Sequence, residues 1–230
     1  MLALAMIMNM GLLIAQPPET QYLLDLADVK LSGFGSANFE VSIINGDAAT
    51  SSGGSGAVLF NYRFFAGAYN LSLNPDCSFP NIYPTHHSAE NPLDPVYTNN
   101  KIRLNHGGLW VGYIHNPNNL WHLGANLRFG RGRIALYDRD INFREFDEHH
   151  RDWVGVVTPE IDIMINVTRW FKYSMSIGYR WVYGVDARTY TDAQGLEQPL
   201  YTVGRFSSPT VTARFLFGAF GPRTNGQSKH

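Results

Sequence analysis

The chain has 230 residues, 18 Lys+Arg against 19 Asp+Glu, and one Cys. That length suits a single barrel or sandwich domain. The balanced charge excludes a strongly basic nucleic-acid binder, and the lone cysteine excludes a disulfide framework or a four-cysteine zinc site. With 44% hydrophobic, 13% aromatic and only 16% charged residues, and 22 Gly, the composition is that of an all-β protein and not of a disordered chain.

Residues 1–15, MLALAMIMNMGLLIA, carry no charge; the first charged residue is Glu19. The stretch is too short for a membrane-spanning helix and has the length of a signal-peptide apolar region, with Ala15 as the small residue before a cut at Gln16. No basic leader precedes the run, so the true start is expected upstream. A buried N-terminal helix is the alternative reading. No cysteine follows the run, so no lipoprotein anchor is expected. Residues 16–32 are read as a periplasmic N-terminal segment, 33–220 as the barrel and 221–230 as a polar C-terminal tail.

After Lys30 the period is that of strands. In Phe34–Ile44, Ala37, Phe39, Val41 and Ile43 alternate with Ser36, Asn38, Glu40 and Ser42. Gly54–Asn61 is Gly-rich and less clear. In Phe64–Asn74, Phe65, Tyr69, Leu71 and Leu73 alternate with Ala66, Ala68, Asn70 and Ser72. Leu104–His115 sets Leu109, Val111 and Tyr113 against His106, Gly108 and Gly112, while Trp110 and Ile114 break the second face. From Trp121, Leu123, Ala125, Leu127 and Phe129 oppose His122, Gly124, Asn126 and Arg128. In Trp153–Ile165, Val157, Ile161, Ile163 and Ile165 oppose Thr158, Glu160, Asp162 and Met164. In Phe171–Tyr183, Phe171, Tyr173, Met175, Ile177, Tyr179, Trp181 and Tyr183 oppose Lys172, Ser174, Ser176, Gly178, Arg180 and Val182. In Thr210–Phe220, Val211, Ala213, Phe215 and Phe217 oppose Thr212, Arg214 and Gly218.

Eight segments result. Tight turns are expected at 61–64, 116–119 and 166–169, from their Asn, Pro and Thr signals. Long loops are expected at 46–53, 75–103, 138–152 and 184–204. Five prolines between 75 and 95 exclude a central strand there. Short turns at one end and long loops at the other predict an eight-stranded antiparallel transmembrane up-and-down β-barrel, both chain ends on the short-turn side.

Residue type decides which solvent the apolar face meets. Seven large residues on one face of Phe171–Tyr183 overfill a small core but suit lipid. Tyr113, Trp121, Trp153, Trp170, Phe171, Tyr179, Trp181 and Tyr183 are expected to face lipid, in belts at the interfaces, and Trp110 is read with them. The small and polar residues would then fill the narrow interior. Glu40, Arg128, Glu160, Asp162, Lys172, Arg180 and Arg214 fall on that face. Unpaired buried charge is costly, so they are expected to form a salt-bridged plug and not a conducting pore. On the alternative, a soluble barrel, the same charges are a solvated outer surface.

Gly108-Leu109-Trp110-Val111-Gly112-Tyr113 before the Asn-Pro-Asn turn, Thr158-Pro159-Glu160 within a strand, Asn166-Val167-Thr168-Arg169-Trp170-Phe171, Gly178-Tyr179-Arg180-Trp181, Gly184-Val185-Asp186 and the stretch 54–67 together resemble a family of small outer-membrane β-barrel proteins of Bacteroidetes. The resemblance spans about residues 33–220. It implies an envelope location and no catalytic assignment. Phe220 resembles the C-terminal aromatic used in barrel assembly, here followed by a polar tail.

Two loop clusters, His86, His87 and Glu90, and Asp147, Glu148, His149, His150 and Asp152, carry metal-type ligands without the helical His-Glu-x-x-His spacing. Ser51, Ser52, Ser78 and Ser88 lie in no Gly-x-Ser-x-Gly elbow, and Cys77 has no partner cysteine. Arg128, Gly130, Arg131, Gly132 and Arg133 form a basic run, read either as a contact with lipid phosphate or sugar anions or as a strand leaving the bilayer. No catalytic, cofactor or metal residues are therefore assigned, and no cofactor is expected. The expected partners are outer-membrane lipid and other outer-membrane proteins, not nucleic acid. The expected function is structural or interactive, through displayed loops and as a candidate subunit of a larger outer-membrane assembly. The alternatives are a hydrolase using the loop His and acidic residues, and a narrow ligand or ion conduit.

Overall fold

The computed structural model describes residues 29–44, 46–74, 100–138, 151–186, 188–191, 196–201 and 203–221. Eight long strands close into a barrel: β1 (Leu31–Ile44), β2 (Asp47–Phe60), β3 (Phe64–Leu73), β4 (Asn100–Ile114), β5 (Trp121–Asp138), β6 (Arg151–Asn166), β7 (Phe171–Tyr183) and β10 (Ser208–Gly218). Each pairs antiparallel with its neighbours, and β10 returns to β1 through pairs such as Phe39↔Ala213. Full closure leaves no sheet edge unpaired, which a strand protein needs in hydrocarbon. Between β7 and β10 lie a small hairpin, β8 (Arg188–Thr191) and β9 (Glu197–Tyr201), and a 3-10 turn at Val203–Phe206.

Two connections depart from the sequence reading. The expected loop at 46–53 lies almost wholly in β2: Ile44 pairs with Asp47, and the two-residue turn places Gly46 at φ 94, where glycine carries no Cβ penalty. This stretch, DAATSSGGSG, hides its strand because its inward positions Ala49, Ser51, Gly53 and Ser55 are small and its outward Thr50 and Ser52 are polar. The expected loop at 184–204 contains β8, β9 and the start of the 3-10 turn, and with Val185 and Phe206 the β7–β10 connection drops apolar side chains into the barrel end. The turn at 61–63 is tight as expected. Asn61 and Tyr62 both have positive φ, 50 and 58, and Arg63 N–H donates to the Phe60 carbonyl at 3.0 Å. An aromatic residue is rare in that conformation; Tyr62 packs against the apolar residues at this end of the barrel.

The face assignment also needs a correction. In β5, β6, β7 and β10 most large apolar residues face out, while Ile134, Val154, Val156, Met164, Val182 and Leu216 face in. In β3, Phe65, Tyr69, Leu71 and Leu73 face in and are nearly fully buried, while Ala66, Ala68 and Asn70 face out. In β4, Trp110 is buried inside at 1% exposure and is not part of a belt; Ile114 faces in with it, and Leu109 faces out. The interior is therefore not uniformly polar. It holds an apolar layer at each end, one around Ile44, Ile102, Leu104, Val156, Val182 and Phe206, the other around Phe34, Leu59, Phe65, Trp110, Ile114 and Phe220.

Candidate functional site

Alternation along five strands brings one charged or polar set to the barrel axis between those layers. Glu40 comes from β1, Arg128 from β5, Glu160 and Asp162 from β6, Arg180 from β7 and Arg214 from β10; each occupies an inward position and is at most 3% exposed. Arg180 Nη1 donates to Glu40 Oε1 at 2.8 Å. The other Glu40 oxygen accepts from Arg128 Nη2, which also donates to Glu160 Oε1 at 2.8 Å. Glu160 Oε2 accepts from Arg214 Nη2, and Arg214 Nη1 donates to Asp162 Oδ1 at 2.9 Å. The result is one alternating chain, Arg180–Glu40–Arg128–Glu160–Arg214–Asp162, whose formal charges cancel. Strands β1 and β5 stand on opposite sides of the barrel order, so the Glu40–Arg128 pair crosses the interior.

Polar neighbours take up much of the remaining hydrogen-bonding capacity, while Arg128 Nε and Nη1 are buried without a hydrogen-bond partner among the described residues. Asn126 Nδ2 donates to both Asp162 oxygens at 2.9 and 2.8 Å, Ser176 Oγ donates to Asp162, and Thr212 Oγ1 donates to Glu160 at 3.0 Å. Arg180 Nη2 donates to Ser42 at 3.1 Å and its Nε to the Phe206 carbonyl at 3.3 Å. Trp110 Nε1 donates to Asn126 at 3.0 Å, and the Arg214 and Arg128 guanidinium groups stand 5.6 and 5.5 Å from the Trp110 and Tyr69 ring centres. Such pairing is what makes buried charge tolerable. Thr212, Asn126 and Ser176 stand on the polar faces in the sequence reading without being marked as partners of the charged set, and Trp110 is read there as a belt residue; inward parity is the available signal.

Lys172, the seventh charged residue of the polar face, is not on this chain. It lies toward the short-turn end, with Nζ 3.5 Å from His122 Nε2 and 4.8 Å from the centre of the Phe220 ring. Phe220 itself is buried inside, against Phe34 at 5.5 Å between ring centres.

The outer surface places the expected lipid-facing residues outward. Trp121, Trp153, Trp170 and Tyr183 are exposed, as are Tyr179 and Trp181, and Tyr113 and Phe171 are half-buried. At the short-turn end Phe64 meets Tyr113, and Phe171 stacks on Phe217 at 5.0 Å. Toward the other end Tyr179 meets Trp181. Between the two groups lie Ile161, Ile163, Met175, Ile177 and Val211, all exposed. An exposed apolar band between aromatic girdles, around a charged interior, is a membrane barrel's arrangement.

The basic run splits by the same parity: Arg128 points in, while Arg131 is exposed and Arg133 half-buried on the outside. Cys77, Ser78, His86, His87, Ser88, Glu90, Asp147, Glu148, His149 and His150 lie outside the described residues. Asp152, read with the last cluster, is buried at 3% exposure, and Ser51 is turned inward. Among the described residues no group of three or more His, Cys, Asp or Glu is placed to hold a metal ion.

No protein-family model matches the chain, and no curated protein does. Solved structures do. The crystal structure of Neisserial surface protein A is similar with a TM-score of 0.53 at 9% identity, covering 82% of this chain and 97% of that one. The attachment invasion locus protein Ail of Yersinia pestis, in complex with the heparin analogue sucrose octasulfate, gives 0.41 at 9% identity, covering 82% and 95%. A major outer membrane protein from Thermus thermophilus gives 0.39 at 10% identity, covering 81% and 98%. The likeness to the Neisserial protein is one of fold: an eight-stranded antiparallel closed β-barrel.

Proposed function

We propose that this chain is an integral barrel of the bacterial outer membrane whose role is structural or interactive, exercised through what it displays outside the membrane and to neighbouring proteins. It sits with its apolar band in lipid and its short turns, with the start of β1 and the end of β10, toward the periplasm, as in bacterial barrels with short periplasmic turns and longer extracellular loops. The observation that carries the reading is the filled interior. Two apolar layers enclose a neutral ion-pair chain anchored on five strands, which favours a plugged barrel over a conduit. A filled barrel leaves loops and outer wall as the working surfaces.

Membrane fractionation followed by native purification in mild detergent tests this. The expected result is recovery in the outer-membrane fraction with stoichiometric co-eluting outer-membrane proteins. Recovery from the soluble fraction overturns the location, and a barrel that always elutes alone overturns the role as an assembly subunit.

A further inference from the structure

Among the described residues, the barrel interior holds one cation, Lys172, that its ion-pair chain does not use. Glu40, Glu160 and Asp162 are each engaged by arginine. Asp152 belongs to the opposite half of β6, paired with Ile134. Lys172 is 2% exposed, and no described carboxylate meets it. His122 Nδ1 is 3.2 Å from the Asn119 carbonyl, so it is the proton-bearing nitrogen. That leaves Nε2 as an acceptor for one ammonium proton. The Phe220 ring lies beside the same ammonium. An ammonium carries three donors, and burying it without an anion is expensive.

Lys172 also lines a cavity of ≈ 400 Å³ that opens at the short-turn mouth, with Asn118, Asn166, Thr168, Arg169 and Phe220 among the other lining residues. Arg169 brings a second cation to the same space. We infer that this mouth cavity is a binding site for a small oxyanion, a phosphate or carboxylate group of a soluble molecule, held by Lys172 with Arg169 at the rim. The oxyanion would supply the counter-charge that no described carboxylate gives Lys172, through a charge-assisted hydrogen bond from the ammonium. Lipid is the weaker candidate, because Trp170 is exposed on the outer wall while Lys172 is directed inside. That the ligand comes from the periplasm rests on the outer-membrane reading; the existence of the site does not.

The full chain, folded in neutral maltoside micelles, is titrated with inorganic phosphate at constant ionic strength in chloride, and backbone amide resonances are followed. Saturable shifts at Thr168, Arg169, Lys172 and Gly221 are expected, with affinity lowered about ten-fold or more by Lys172→Gln and unchanged by Lys30→Gln. Shifts that never saturate, or that persist equally in Lys172→Gln, overturn the site. Should Lys172→Gln not fold, the wild type is methylated at its lysines with and without phosphate. Saturable protection of Lys172 supports the site, and its absence overturns it. If nanodiscs of anionic phosphatidylglycerol produce the same shifts without phosphate, where phosphatidylcholine nanodiscs do not, the ligand is lipid and the soluble-anion assignment falls.

Discussion

At the scale of single residues, the barrel fits large groups into a narrow tube by setting them opposite glycine. Phe34 pairs with Gly218, Phe65 with Gly112, Trp110 with Gly67, Tyr69 with Gly108, and Glu160 with Gly178. The high glycine content is thus largely a spatial requirement of a closed eight-stranded interior filled by alternating small and large groups. At Gly67 an added Cβ would run into the Gly56 carbonyl oxygen and lie 2.7 Å from the Ala57 Cβ. Gly67→Ala should therefore destabilise the barrel by about 1–3 kcal/mol through overpacking, read as a lower urea midpoint for unfolding from lipid vesicles. The charged chain makes a sharper prediction. Glu160 is shared by Arg128 and Arg214, so Glu160→Gln leaves two buried guanidinium groups short of a carboxylate. Removing one partner from buried ion pairs costs about 3–5 kcal/mol. A Glu160→Gln protein with the wild-type urea midpoint would show that the chain contributes nothing to holding the walls together.

At the scale of strands, alternation gives the period but not the sign. In β6 and β7 the two faces differ in kind, Ile161 and Ile163 against Glu160 and Asp162, Tyr173 and Ile177 against Lys172 and Arg180, so the outward face was readable from sequence. In β3 both faces lack charge, and its large residues serve the apolar interior layers. The rule that apolar residues meet lipid therefore misplaces Phe65, Tyr69, Leu71 and Leu73. Trp110 escaped for the same reason: a buried tryptophan with its N–H held by Asn126 looks, in sequence, like an interfacial one. Strand β2 escaped because small inward and polar outward residues produce no apolar rhythm at all. The ion-pair set was legible as residue types on one face, but its partners depend on which strands close across the barrel, and Lys172 shows that sharing a face does not ensure sharing a network. Lipid exposure of the readable strands has a direct test. Ile177 is 66% exposed on β7, within the apolar band. Ile177→Arg should cost about 2–4 kcal/mol in vesicle refolding if that band lies near the bilayer midplane. On a water-facing surface the same change would fall within about 0.5 kcal/mol, and that result would remove the membrane from the account.

At the scale of the whole molecule, the interior layers act in series. At the loop end, Phe206 from the 3-10 turn and Val185 from the connection just after β7 close over Ile44, Ile102 and Val182. At the turn end, Phe220 closes over Phe34, Trp110 and Leu216. Between them the ion-pair chain reaches from β1 to β5 and ties walls that no backbone hydrogen bond connects. An ion crossing this interior would have to pass two mainly apolar layers and break a charge chain that is already neutral, and among the described residues no exposed charged ring is placed to replace its hydration shell. The purified barrel in planar bilayers should therefore show no steady open-channel current at either polarity of applied voltage. Weakening the seal at one end alone, as in Phe206→Ala, should leave that result unchanged, because the ion-pair chain and the second apolar layer remain in place. Large, sustained currents from the wild-type chain would mean that the side chains rearrange into an open path in the membrane, and the interior would then have to be reread as a gate.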